Sequence, residues 1–165
     1  DWPSFFAYCR MMPLTRYEME KDGYLFAAPK KAGAGEMEAS GLYDLALALT
    51  KKETDHEVVP NDLCYKKGER FFVLTGPNQG GKTTFARSLG QLVYFNCMGL
   101  DVPAESAKLP YFPNIQTHFS VEESVETGRG KLMEELTRLA PMMEEGKKAR
   151  SSRGTWVAGM ACKGS

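Results

Sequence analysis

The sequence predicts an α/β fold built round a strand–loop–helix unit, and three observations carry that prediction. Residues 76–83 read Gly-Pro-Asn-Gln-Gly-Gly-Lys-Thr, which matches the phosphate-loop pattern G-x-x-x-x-G-K-[ST]. Before it, Phe71-Phe72-Val73-Leu74-Thr75 is a short apolar run of strand formers, entered through the turn-like Lys67-Gly68-Glu69. After it, Phe85, Leu89, Leu92, Val93 and Asn96 recur at helical spacing with one polar member. Strand, glycine loop and helix in that order place a cradle of amides at the carboxyl end of a sheet strand.

The residue types in the loop suit a triphosphate. Glycines let the backbone curl so that successive N–H groups point into one concavity. A helix that starts there adds its own unpaired N–H groups and the positive end of its dipole. Lys82 can reach the terminal phosphates, and the Thr83 hydroxyl suits a Mg²⁺ ion. The expected ligand is therefore ATP or another nucleoside triphosphate, with Mg²⁺.

Composition bounds the rest. At 165 residues and 42% hydrophobic content the chain is long enough for one domain with a real core, plus part of a second. Lys and Arg number 21, as do Asp and Glu, so the chain as a whole is not a basic nucleic-acid surface. The four cysteines, Cys9, Cys64, Cys97 and Cys162, are far apart with no C-x-x-C pair, which predicts free buried thiols in a reducing cytosol rather than zinc ligands. No stretch approaches the length of a membrane span. The first residues, Asp1-Trp2-Pro3-Ser4-Phe5-Phe6, include no Met and read as the middle of a longer protein.

Along the chain, residues 4–22 have helical character, with Ser4 as a cap and Phe5, Tyr8, Cys9 and Met12 on one face before Pro13 interrupts. Residues 29–40 read as a loop. Leu42–Leu49 is apolar and fits either a helix or a strand. Val58–Leu63 leads towards the strand before the phosphate loop. Ile115-Gln116-Thr117-His118-Phe119 alternates like a strand. Residues 131–145 predict a helix with the stripe Leu132, Leu136, Leu139 and Met143. From Gly146 the composition turns basic and Ser/Gly-rich, as in a disordered tail, with Trp156–Met160 as an apolar island. A solvated tail suits that basic run better than a nucleic-acid contact.

The segment Leu74-Thr75-Gly76-Pro77-Asn78-Gln79-Gly80-Gly81-Lys82-Thr83-Thr84-Phe85-Ala86-Arg87 resembles the ATPase domain of the MutS family of DNA mismatch-recognition proteins, whose loop reads T-G-P-N-x-G-G-K-[ST]-T. Gly99-Leu100-Asp101-Val102-Pro103-Ala104 is similar to the family's G-x-x-V-P-A. Glu126–Leu136, with Thr127-Gly128-Arg129-Gly130 at its start, is similar to its S-G-R-S-T-F-x-x-E-M, and Pro60-Asn61-Asp62 to its P-N-D. In order, these cover roughly residues 42–140.

The resemblance implies an ABC-type P-loop NTPase fold, a three-layer sheet with flanking helices, incomplete here on its C-terminal side. It implies three regions: 1–22 the end of a preceding helical lever or core region, 23–145 a partial ATPase domain, and 146–165 an atypical tail. By position, Gly76, Pro77, Asn78, Gln79, Gly80, Gly81, Lys82, Thr83 and Thr84 would hold the nucleotide, with Thr83 on Mg²⁺. Thr127, Gly128, Arg129 and Gly130 would face the nucleotide of a partner subunit, and Tyr43 falls near the segment that packs the base. ATP and Mg²⁺ are the implied cofactors. A second copy of the chain and DNA, the latter reached through regions outside this chain, are the implied partners. A bacterial cytosol or nucleoid is the implied setting.

The departures from the family pattern bear on activity. Gly130 replaces the signature serine and Leu132 a phenylalanine. Thr117-His118-Phe119-Ser120-Val121-Glu122-Glu123 replaces T-R-V-G-A-x-D, so that Glu122 or Glu123 stands in for its acid and His118 is either a nucleotide contact or an ordinary strand residue. In the family a strand ending in Asp-Glu follows the second helix, to hold Mg²⁺ and position water. Here the last acidic residue is Glu145. Phosphoryl transfer depends on such groups, so this chain is expected to bind nucleotide better than it hydrolyses it. Truncation or a change of reading frame near residue 146 would account for the tail, and its composition favours the latter. Two functions follow: an ATP-binding domain of a MutS-like ATPase that couples Mg-ATP to clamping on DNA, or a non-catalytic ATP-dependent dimerisation switch. A small P-loop kinase would need an acceptor site and an arginine-rich lid, and neither is evident. Without the Asp-Glu strand the sheet keeps a gap or an open edge, which predicts a marginal domain.

Overall fold

The computed structural model describes residues 2–33, 35–50, 58–67, 74–77, 80–112, 115–118, 133, 137, 140–142, 144 and 156–159, with side chains from Met12 onward except at 116–118 and 156–159. It is a mixed α/β structure. Helix α1 (Trp2–Lys21) is followed by β1 (Lys30–Lys31), β2 (Met37–Leu42), α2 (Leu45–Thr50), β3 (Asn61–Tyr65), α3 (Lys82–Cys97), β4 (Ser106–Leu109), β5 (Ile115–His118) and β6 (Trp156–Gly159). Four strands form one sheet in the order β1-β4-β2-β3, and β5 and β6 form a separate pair.

The four-stranded sheet is mostly antiparallel. β2 pairs antiparallel with both β3 and β4, and only the two-residue β1 runs parallel to its neighbour β4. Successive strand residues face opposite sides. Met37 and Ala39, with their partners Tyr65, Leu63 and Ala107, therefore form the buried face. Glu38, Cys64 and Lys108 share the exposed one. β1, at the edge, is two exposed lysines. The register breaks between Ala39 and Leu42, where Gly41 takes φ +63°. A β-carbon there would sit 2.5 Å from Glu105 Cγ, so glycine is required on two counts.

Both long helices stop by the same device. Gly23 has φ 86°, its N–H donates to the Glu20 carbonyl, and Tyr24 N–H reaches back to Met19. Gly99 has φ 71°, its N–H donates to Asn96, and Leu100 N–H reaches back to Phe95. This paired bonding round a left-handed glycine satisfies carbonyls that a helix end leaves open.

Several local expectations change. α1 runs unbroken through Pro13, and Ser4 lies inside it rather than capping it. A proline deletes one helical bond and crowds the turn before it, and here it does not end the helix. The stripe residues Phe5, Tyr8 and Cys9 lie outside the described side chains, while Met12 packs against the core. The loop expected over 29–40 holds β1 and most of β2. Leu42–Leu49 divides between the end of β2 and α2. Cys64 is exposed rather than buried, while Cys97 is part-buried with its thiol on the Phe112 carbonyl (3.2 Å).

The strand expected at Phe71–Thr75 lies largely outside the described residues, and Leu74 and Thr75 belong to no strand. Met133, Thr137, Ala140, Pro141, Met142 and Glu144 are helical, as the 131–145 pattern predicts, and the stripe residues themselves are not described. β5 matches the expected strand. β6, within the stretch read as a tail, pairs parallel with it, with Ile115 opposite Trp156 and His118 opposite Gly159. A helical stretch lies between two parallel strands, the order of a crossover unit.

The core joins the buried sheet face to α3, α1 and the segment before β4. Leu42, Leu92, Val102 and Ala104 are fully buried, and Met19 and Leu109 nearly so. Along α3 the buried line is Ser88, Leu92 and Phe95, with Phe85, Leu89 and Val93 packed beside it. Among the described residues, no helix is long and apolar enough to cross a membrane.

Candidate phosphate loop and the residues that position it

The loop residues Gly76, Pro77, Gly80 and Gly81 are exposed and lead directly into α3. Gly80 N–H donates to the Pro77 carbonyl (3.1 Å), which closes a tight turn. A β-carbon on Gly80 would lie 3.0 Å from that same oxygen, so the turn favours glycine. Gly81 is the helix N-cap in the left-handed conformation, φ 76° and ψ 6°. Among the described residues no side chain caps the helix there, and its first turn carries no acidic residue. Both facts leave the positive end of the helix open to an anion.

Lys82 sits at the first position of α3 and folds over the loop. Its ammonium donates to the carbonyls of Gly76 (2.6 Å) and Pro77 (2.8 Å). Thr83 and Thr84 follow in the first turn, partly exposed. Gly76, Pro77, Gly80, Gly81, Lys82, Thr83 and Thr84 are thus brought together at one helix start. Asn78 and Gln79 lie outside the described residues, as do Thr127, Gly128, Arg129 and Gly130. His118 is the last residue of β5.

The body of α3 is tied down by polar bonds at its middle and far end. Asn96 Nδ2 donates to the Pro110 carbonyl (3.0 Å). Gln91 faces the start of α2: its Oε1 accepts from Leu45 N–H (2.8 Å) and its Nε2 donates to Asp44 Oδ1 (2.8 Å). Asp44, only 3% exposed, caps α2 with the same oxygen, which accepts from Ala46 N–H (2.9 Å). Sequence reading passed over this pair. The Asp before a short apolar run is a cap signal, but nothing local points to a partner 47 positions away.

Tyr43 is a core residue. It is 4% exposed, its hydroxyl donates to the Leu25 carbonyl (3.1 Å), and its ring lies 5.1 Å from that of Tyr24 and edge-on to Phe26. Burial, then the neighbouring Tyr24 and Glu20, push its phenol above the ordinary value. Asp62 of the Pro60-Asn61-Asp62 segment serves the bulge in β2, accepting from Gly41 N–H (2.9 Å) and the Ser40 hydroxyl (2.8 Å). Those bonds, that from Gly41 first, hold its carboxyl below the ordinary range.

Gly99–Ala104 serves structure too. Val102 exchanges both backbone bonds with Ala27, and the Pro103 carbonyl accepts from Tyr43 N–H. Asp101 pairs with Arg16 of α1, which also holds Glu20 (2.7 Å). An apolar cavity of about 290 Å³, lined by Leu14, Thr15, Glu18, Met19 and Leu49, contains no residue of the phosphate loop.

The family model described as MutS domain V matches residues 72–151, which take in the loop, α3 and β5. The chain is a partial member of the MutS family. It is 34% identical over 89 residues to the DNA mismatch repair protein MutS of Fervidobacterium nodosum, covering 54% of this chain and 11% of that protein. The MutS of Solibacter usitatus matches at 32% over 120 residues, 72% of this chain and 14% of that one. That of Thermotoga neapolitana matches at 37% over 84 residues, 51% and 10%. The chain therefore spans about a tenth of the length of the MutS proteins it matches. Within the matched stretch, Gly76–Thr83 and Gly99–Ala104 do different work: the first leaves a helix start open, and the second is built into the core.

Proposed function

We propose that this chain is the ATP-binding part of a MutS-like mismatch-repair ATPase with a P-loop NTPase fold. In the parent protein, Mg-ATP binding and hydrolysis would be coupled to clamping on DNA by a dimer. The observation that carries this reading is the start of α3: a left-handed glycine cap, no capping side chain among the described residues, no acidic residue in the first turn, and Lys82 beside them. The residues present fit a phosphate group. Gly76, Pro77, Gly80 and Gly81, with Asn78 and Gln79, would cradle the phosphates. Lys82 would exchange its two carbonyl partners for phosphate oxygens and neutralise their charge. Thr83 would hold Mg²⁺, with Thr84 beside it, and the metal would supply charge neutralisation at the bridging oxygens. Thr127–Gly130 would face the nucleotide of a second copy. Tyr43, packed between aromatic rings, is left out of the base contact.

A second reading, a non-catalytic ATP-dependent dimerisation switch, is favoured by one feature of this chain. β6 is the strand that follows the helical stretch and pairs with β5, yet its sequence is Trp-Val-Ala-Gly, and no Asp or Glu follows Glu145. No carboxylate there can hold the metal or position water.

A Mg-ATP titration beside a phosphate-release assay separates the two. Binding without release, lost by about tenfold or more in Lys82→Ala, supports the switch. Release abolished by Lys82→Ala supports the ATPase and reveals a carboxylate placed elsewhere in the chain. A folded chain that binds no nucleotide overturns both.

A further inference from the structure

We propose that Gln91 is a positioning residue for the phosphate loop, acting through the helix they share. The inference rests on the nucleotide-binding reading above. Gln91 accepts from Leu45 N–H and donates to Asp44 Oδ1, both at 2.8 Å. A carboxamide is the one uncharged side chain that accepts and donates along two parallel directions at once. Glutamate keeps the acceptor and loses the donor, and methionine loses both.

The pair matters because of where it sits. Asp44 is 3% exposed and already caps α2, so its carboxylate is committed on the α2 side and gains from a second donor. Leu42, two residues earlier, ends β2 and is wholly buried. The chain from Leu42 to Leu45 is thereby fixed to the sheet, and Gln91 fixes α3 to that chain. On α3 the neighbouring Leu92 is 0% exposed and Ser88 is 1% exposed, so apolar packing and the two bonds act at one level of the helix. Packing alone tolerates small rotations of a helix about its axis. Two directional bonds do not. Lys82 lies nine positions earlier on the same helix, roughly 14 Å along its axis at 1.5 Å per residue. A turn of the helix at Gln91 is a turn of the amide cradle and of Lys82. Displacements of about 1 Å at such a cradle are costly to function.

The test uses Mg-ATP as the probe on the full 165-residue chain, with affinity and thermal unfolding read together. Gln91→Glu sets two carboxylates against each other and is expected to weaken Mg-ATP binding by about tenfold while unfolding stays cooperative. Adding Asp44→Asn removes one of the two facing charges and is expected to return the affinity to within about threefold of the parent. A residue of purely structural value would shift the unfolding midpoint and leave the affinity of the folded molecules unchanged. A folded Gln91→Glu chain that binds like the parent overturns the inference and leaves the nucleotide reading standing. If Gln91→Glu does not fold, Gln91→Met, which loses both bonds without adding a charge, decides: a loss of about tenfold in a folded chain supports positioning, and affinity within about threefold of the parent overturns it. A parent chain that binds no Mg-ATP removes the nucleotide reading, and this inference with it.

Discussion

Asp62 and Gly41 together show how single residues hold the sheet. The left-handed backbone at Gly41 and the close approach of Glu105 both exclude a side chain. Gly41→Ala is expected to cost about 1–3 kcal/mol from backbone strain, plus a steric part. Denaturant unfolding of Gly41→Ala with and without Glu105→Ala separates the two, because only the steric part is relieved by shortening Glu105. Asp62 makes the same bulge sensitive to acid. Folding lowers its carboxyl pKa, so its contribution is complete above the ordinary carboxyl range near about pH 4 and disappears as pH falls through the lower, folded value. Below about pH 4 the thermal midpoint of the parent chain is expected to fall more steeply than that of Asp62→Asn. Neither residue's role was legible beforehand. Pro60-Asn61-Asp62 stands out in the sequence as a family-like segment, but the carboxylate's acceptor role depends on Ser40 and Gly41, more than 20 positions away.

At the level of elements, α3 was the most legible part of the chain. Its stripe of Phe85, Leu89, Leu92 and Val93 follows from the 3.6-residue period, and the Gly-Gly-Lys start follows from the phosphate-loop pattern. The sequence pattern underweighted Phe95 and Ser88, which are buried on the same helix as Leu92. Leu92→Ala should therefore cost about 2–5 kcal/mol, measured by chemical unfolding. Gly99→Ala should cost less, roughly 1–2 kcal/mol, since a β-carbon there meets nothing within 4 Å and only the left-handed backbone opposes it.

The short strands were the least legible elements. β1 is two residues long and has no period to read, and β2 contains a bulge that breaks its alternation. α1 shows the converse. Pro13 reads as a breaker locally, yet the helix continues past it to Met19, whose side chain is 2% exposed. Tertiary burial of Met19 and the Arg16–Asp101 pair offer a physical reason for the helix to continue.

For the whole molecule, stability and ligand binding are linked. A nucleotide that binds only the folded chain adds free energy to folding, about 2.7 kcal/mol when its free concentration is a hundred times its dissociation constant. The thermal midpoint is accordingly expected to rise with Mg-ATP in the parent chain and to need about tenfold or more nucleotide for the same rise in Lys82→Ala, a comparison made by thermal unfolding at graded nucleotide concentrations. The edge strand β1 has a separate effect at this scale. Its two exposed lysines, Lys30 and Lys31, line the margin of the four-stranded sheet, which among the described residues carries no further strand. Another copy that tried to add a strand there would bring its own lysines alongside these, so repulsion between like ammonium groups guards that margin against self-templated growth into fibres.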